Sequence, residues 1–182
     1  NKIVVGPALW SNSFLPAQHQ ASSVITADMK VDKLVANVRN KKLTHREQRE
    51  QLDLLNRLNQ LHLAKRNNDL ELNAQIKAME TAYRMQFEAM DTFDVEKESE
   101  ATRDKYGRTP FANSCLLARR LVESGVRYVG VYYVNNGNQP WDTHQNHNAG
   151  HTKLCKDSDK ATAALISDLK ERGLLEDTLV IW

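Results

Sequence analysis

The sequence predicts an α/β domain with a mostly parallel sheet. Three observations point that way. The run Val126-Arg127-Tyr128-Val129-Gly130-Val131-Tyr132-Tyr133-Val134 is rich in β-branched and aromatic residues, as a buried strand is. Apolar residues at helical spacing precede it from Pro110 and follow it to Arg172. The chain then enters a second strand-like run, Thr178-Leu179-Val180-Ile181-Trp182. Strand, crossover helix and strand make a βαβ unit, expected to be parallel and right-handed.

Taken in order, Lys2 to Val5 is a short predicted strand. Gly6 to Asp28 reads as a long loop, broken by Gly6-Pro7, Ser11-Asn12-Ser13 and Pro16. His19 is the only histidine in that loop, and a long loop in a compact domain is often functional. Thr44-His45-Arg46-Glu47 fits a capping box that opens a helix, with Leu52, Leu55 and Leu58 at helical spacing to about Lys65. Arg66-Asn67-Asn68-Asp69 is a polar turn, and a second helix carries Leu72, Ile76, Met79, Tyr83 and Phe87. Residues 44–90 thus form a predicted antiparallel helical hairpin inserted in the domain. Its two stripes bury each other, cover a cleft, or dock a partner as an interaction arm.

Acidic residues mark 91–107, including Glu96, Glu98 and Glu100. Pro110 starts the next helix and Gly125 stops it. A last helix is predicted from His151 to Arg172, with Gly173 as its stop. Residues 110–182 therefore read as an αβαβ segment. Arg119-Arg120 reads as a helix-face pair, and Cys115 and Cys155 as small buried side chains.

Composition bounds the function classes. The 182 residues suffice for a real core, and 41% apolar with 26% charged is ordinary for a globular chain. A net charge of +2 is too small to argue for nucleic acid as a partner. No apolar run approaches the ~20 residues of a membrane span. The chain begins and stops on strand-like runs, so we expect an internal fragment of a longer protein.

The chemistry concentrates in Trp141-Asp142-Thr143-His144, with His147 and His151 close behind. Asp and His are the side chains that hold a divalent metal. Positions i and i+2 of an extended backbone point the same way, so Asp142 and His144 can reach one ion. Trp141, His147, His151 and His19 are candidates for an outer or substrate-facing role. The plainer alternatives are an Asx turn at Asp142 and wet loop residues at His147 and His151. There is no phosphate-binding glycine loop, no nucleophile elbow and no clear Ser/His/Asp set.

Several segments together carry a resemblance. They are Phe14-Leu15-Pro16-Ala17-Gln18-His19-Gln20, Glu80-Thr81-Ala82-Tyr83-Arg84-Met85-Gln86, Cys115 to Arg127, Trp141-Asp142-Thr143-His144, and Asp168 to Trp182. In this order they resemble the bacterial sulfatase-like DUF1501 family, over nearly the whole chain. Ala21 stands where a Gly often follows Gln20, which puts a tight turn there in doubt.

The resemblance implies the alkaline phosphatase-like superfamily, whose members hydrolyse phosphate and sulfate esters at metal centres. The implied fold is an alkaline phosphatase-like α/β sandwich around a mostly parallel sheet. Asp142 and His144 correspond to an Asp/His metal-ligand pair, with the nucleophile and further ligands outside this chain. The implied partner is a small anionic ester, phosphate or sulfate, free or on a glycan. Mixed Asp and His ligands suit zinc or manganese better than calcium or magnesium. An exported location is implied by the resemblance alone. The alternative is a member of the family that binds a metal or glycan without catalysis.

Overall fold

The computed structural model describes residues 11, 13–15, 19, 21–24, 26, 29–34, 42–65, 76–77, 80–81, 83, 89–133 and 140–182. The chain divides into two compact units. One comprises Asn1–Val4, Ile25–Leu34 and Asp91–Trp182, and the other Val5–Val24 and Val35–Met90.

Among the described residues every regular element is helical and none is a strand. This overturns the expected α/β sandwich with its mostly parallel sheet. Residues 128–133 and 178–182 have the composition of strands but no regular structure. A strand exists only where its N–H and C=O groups meet a neighbour's, and propensity alone contributes at most about 1 kcal/mol. Among the described residues these stretches meet no such neighbour, and many of their side chains stand in solvent. Tyr128 is 85% exposed and Leu179 is 84% exposed. The predicted strand Lys2 to Val5, and the end of the other at Val134, lie outside the described residues.

In the Val5–Val24 and Val35–Met90 unit the main element is α2, His45–Lys65; α1, Val31–Leu34, belongs to the other unit. The expected capping box opens α2. Thr44 N–H donates to Glu47 Oε2 at 2.8 Å, and Glu47 N–H donates to Thr44 Oγ1 at 3.3 Å. The first of these bonds leads in holding the Glu47 carboxyl below its ordinary range. The predicted turn at Arg66-Asn67-Asn68-Asp69 lies outside the described residues, while Arg49 ties α2 to Glu80 and Tyr83. Its Nη1 lies 3.4 Å from Glu80 Oε2, and its guanidinium lies 5.2 Å from the Tyr83 ring centre. Leu54, Leu55, Leu58 and Leu61 of α2 are exposed, whereas Leu52, Asn56 and Asn59 are half-buried. Of the second predicted stripe, Ile76 is buried; Leu72, Met79 and Phe87 lie outside the described residues.

Besides α1, the other unit is built on helices from Asp91–Trp182, the first of which starts just before that boundary. After α3, Ala89–Phe93, comes a 3₁₀ turn at Val95–Lys97. Then follow α4, Glu100–Tyr106; α5, Pro110–Glu123; and α6, His147–Glu171. Helices α4, α5 and α6 pack on one another, and the 3₁₀ turn packs on α5. Ser99 caps α4 by accepting from Thr102 N–H, and Thr109 caps α5 by accepting from Ala112 N–H with Pro110 behind it. Gly125 (φ 87°) and Gly173 (φ 69°) end α5 and α6 in the left-handed region, as the sequence predicts. Helix α6 begins one turn earlier than expected, after Asn146 in the left-handed conformation (φ 54°).

The core of this unit holds Tyr106, Phe111, Cys115, Leu116, Leu154, Ala161, Ala164 and Leu169. Ala161 and Ala164 are small enough to let α6 lie close to its neighbours. Cys155 is exposed, contrary to its expected burial.

Arg119 is no surface residue: it is 0% exposed. Its Nε lies 2.9 Å from Asp168 Oδ2 and its Nη2 2.8 Å from Glu98 Oε1, ionic contacts without hydrogen-bond alignment. Its Nη1 donates to Glu123. Arg120 also pairs with Glu98 and donates to the Thr92 carbonyl, while Arg172 pairs with Asp168 and Glu123. Tyr106 Oη donates to Asp168 Oδ2 at 2.9 Å. Three guanidiniums thus face three carboxylates where α4, α5, α6 and residue 98 meet.

Burial pushes the carboxyls of Glu98 and Asp168 up, but the bonds and charges of their partners outweigh it. Arg119 and Arg120 hold Glu98 low, and Arg172, Tyr106 and Arg119 hold Asp168 low. Burial, then the Asp168 carboxylate, pushes the Tyr106 hydroxyl well above its ordinary range.

Candidate metal-binding loop

Residues 140–146 lead into α6 through a turn at Pro140-Trp141. Asp142 and His144 come together there: Oδ2 of Asp142 and Nε2 of His144 are 3.1 Å apart. Their side chains are 58% and 83% exposed, so the pair is open to solvent. The adjacency that the i, i+2 spacing suggests is present, but it rises from a loop and not from the rim of a sheet.

Thr143, between them in sequence, turns the other way. Its Oγ1 lies 3.3 Å from His147 Nδ1 and 3.0 Å from His151 Nδ1. The two imidazoles are one helical turn apart on α6, with ring centres 4.0 Å apart and a 38° tilt. Gly150 makes room for this arrangement: a Cβ there would lie 3.0 Å from Thr143 Cγ2. Sequence reasoning missed Thr143 as the common partner of both rings. The signal available was Gly150, an unfavoured residue in a helix interior.

Trp141 is half-buried in a chain of edge-on aromatic contacts. Its ring lies 5.8 Å from Tyr133, 5.6 Å from His151 and 6.1 Å from Trp182, and Tyr133 lies 5.1 Å from Phe111. Trp141 therefore links the loop to the core through Phe111. His19 belongs to the other unit and is exposed. Trp141, Asp142, His144, His147 and His151 are gathered within one unit.

The donor chemistry of the Asp142–His144 pair fits a divalent ion in part. Two ligands at about 2.1 Å from a tetrahedral ion stand roughly 3.4 Å apart, close to the observed separation. Zinc takes four ligands in such a site, and this pair supplies two. Among the described residues no group of three or more His, Cys, Asp or Glu side chains comes together to hold a metal.

A family model described as a protein of unknown function, DUF1501, matches residues 2–182. The chain belongs to the DUF1501 family. No curated protein and no solved structure matches this DUF1501 chain. Among the described residues, no helix of this DUF1501 member is long and apolar enough to cross a membrane.

Proposed function

We propose that this DUF1501 chain contributes part of the metal centre of a hydrolase for small phosphate or sulfate esters. The reading includes kinship with the alkaline phosphatase-like superfamily. It also includes a longer parent polypeptide that supplies the nucleophile and the remaining ligands. The observation that supports it is the Asp142–His144 pair, with its carboxylate oxygen and imidazole nitrogen 3.1 Å apart in solvent.

Asp142 offers a hard, anionic oxygen and His144 a neutral nitrogen, a mixture that suits zinc or manganese. A bound divalent ion would offset charge on the ester oxygens and lower the pKa of an attacking hydroxyl or water. Trp141, next to the pair in sequence, ties the loop to Tyr133 and His151 through edge-on ring contacts.

The test is hydrolysis of p-nitrophenyl phosphate and p-nitrophenyl sulfate by the parent polypeptide. Asp142→Asn and His144→Gln should each lower turnover by on the order of a hundredfold. A chelator should abolish it and zinc or manganese restore it. The 182-residue chain alone should be inactive. Turnover indifferent to both substitutions and to the chelator would refute the proposal.

A further inference from the structure

We infer that α2 is a pairing surface between two copies of this chain: the exposed line of Leu54, Leu58 and Leu61 packs antiparallel against the same line of a second copy. The inference stands apart from the hydrolase reading, which uses no residue of α2.

Three observations carry it. The first is spacing. Leu54, Leu58 and Leu61 recur after four and then three residues, the interval by which one helix packs along another. At 3.6 residues per turn they fall within about 60° of one another around the helix axis.

The second is direction. The half-buried residues Leu52, Asn56 and Asn59 mark the more covered face of α2. That face lies about 160° round the axis from the leucine line. Leu54, Leu58 and Leu61 are 59%, 51% and 63% exposed, and Leu55 beside them is exposed as well. A surface helix ordinarily turns a single apolar stripe to its own core and a polar one to water. Here the outward face is the one that carries the row of leucines.

The third is charge, and it selects the occupant. All three carboxylates of α2, those of Glu47, Glu50 and Asp53, stand in its first half. With Arg46 and Arg49, residues 45–54 carry a net charge of −1. Residues 55–65 hold Arg57 and Lys65 and no carboxylate, a net charge of +2. Arg46 pairs with Glu50 and Arg49 with Asp53 inside the first half, so Glu47 supplies its excess.

An antiparallel pair that crosses near Leu58 lays the negative half of each helix along the positive half of the other. Two-fold symmetry makes that match twice. Leu54 of each copy then lies by Leu61 of the other, and the two Leu58 side chains meet at the axis. The same arrangement brings opposite ends of the two helix dipoles together. A parallel pair would set like halves side by side. The leucines supply the attraction and the charges set the direction. Three leucines per helix are a short seam, so the contact is reversible and forms with rising concentration.

The experiment is sedimentation equilibrium of the 182-residue chain carrying Ile181→Lys, which removes the separate apolar run at 179–182 as a source of association. The mass should rise from one chain toward two as concentration is raised. Adding Leu58→Glu should weaken the pairing by roughly a hundredfold, because like charges then meet at the axis. Orientation is read by oxidation in a Cys155→Ser background, which removes the exposed thiol. Mixing Leu54→Cys with Leu61→Cys chains should give the mixed disulfide, identified by mass spectrometry of the linked peptides. A single-chain mass at every concentration would overturn the inference, as would association that Leu58→Glu leaves unchanged. Disulfides of each variant with itself in place of the mixed product would overturn the antiparallel arrangement. Leu58 is exposed, so its substitution should leave helical circular dichroism as it was; a lost signal with Glu is answered by repeating the measurement with Leu58→Gln.

Discussion

Arg119 and Asp168 face each other in the interior of the α4–α6 unit, with Nε and Oδ2 2.9 Å apart and neither residue open to water. The pair joins α5 to α6. Around it Glu98, Arg120, Glu123, Arg172 and Tyr106 complete a set in which each charge has an opposite within reach. Such a set adds little net stability relative to an apolar core of the same shape, but it makes the loss of any one member costly.

Replacement of Arg119 should therefore be severe. Arg119→Ala takes from buried Glu98 and Asp168 the one buried cation that faces both, and about 3–5 kcal/mol should be lost. Arg119→Met combined with Glu98→Gln and Asp168→Asn should recover part of that loss, because no unpaired charge remains. Urea unfolding of the single and triple variants measures both. Equal stability of Arg119→Ala and the unsubstituted chain would contradict the network.

Acid should unfold this unit before base does. Glu98 and Asp168 sit below the ordinary carboxyl range when folded. Their contribution is full above the unfolded carboxyl value of about 4, and it is lost as pH falls through the lower folded values. Thermal midpoints should be flat from about pH 7 to pH 5 and fall steeply below about pH 4. With Asp168→Asn the midpoint at neutral pH should be lower and the acid slope shallower.

Gly150 and Thr143 should be energetically coupled. Alanine in a helix interior is ordinarily favoured over glycine by about 1 kcal/mol. At position 150 the new methyl would crowd Thr143 Cγ2 at 3.0 Å. Gly150→Ala alone should thus gain nothing, whereas the same change in a Thr143→Ser background should gain roughly 1 kcal/mol. A double-mutant cycle measures the difference, and strict additivity would show that the methyl does not rest on that turn.

The two thiols should react very differently. Burial pushes the Cys115 thiol up to about 12, while Cys155 is exposed on α6. At mildly alkaline pH a disulfide reagent should label one thiol per folded chain, and Cys155→Ser should remove it. The second thiol should appear only with denaturant.

What the sequence made legible was local. The capping box at Thr44 and Glu47, the Pro110 start and the glycine stops at 125 and 173 are each fixed by a residue and its near neighbours. The meeting of Asp142 with His144 is equally local, since two residues of loop can hardly separate them. The sheet was not legible, because Val126–Tyr133 and Thr178–Trp182 show propensity, and pairing is a property of partners.

Arg119 was misread for a related reason. A charged doublet on a helix is ordinarily wet, and only the arrival of Asp168 and Glu98 from elsewhere makes an interior place for it. Thr143 was overlooked because its role depends on α6 starting at His147, a turn ahead of the predicted start. The α2 leucines show the limit of periodicity: the stripe is real, yet Leu54, Leu55, Leu58 and Leu61 remain exposed.

Leu179, Val180, Ile181 and Trp182 stand uncovered, four apolar neighbours without a charge among them. Short uncharged tracts of this kind let separate molecules stack edge to edge. Concentrated solutions of the chain should cloud on standing, and a single Ile181→Lys gatekeeper should keep them clear by turbidity. This apolar stretch thus limits the concentration at which the 182-residue chain can be handled.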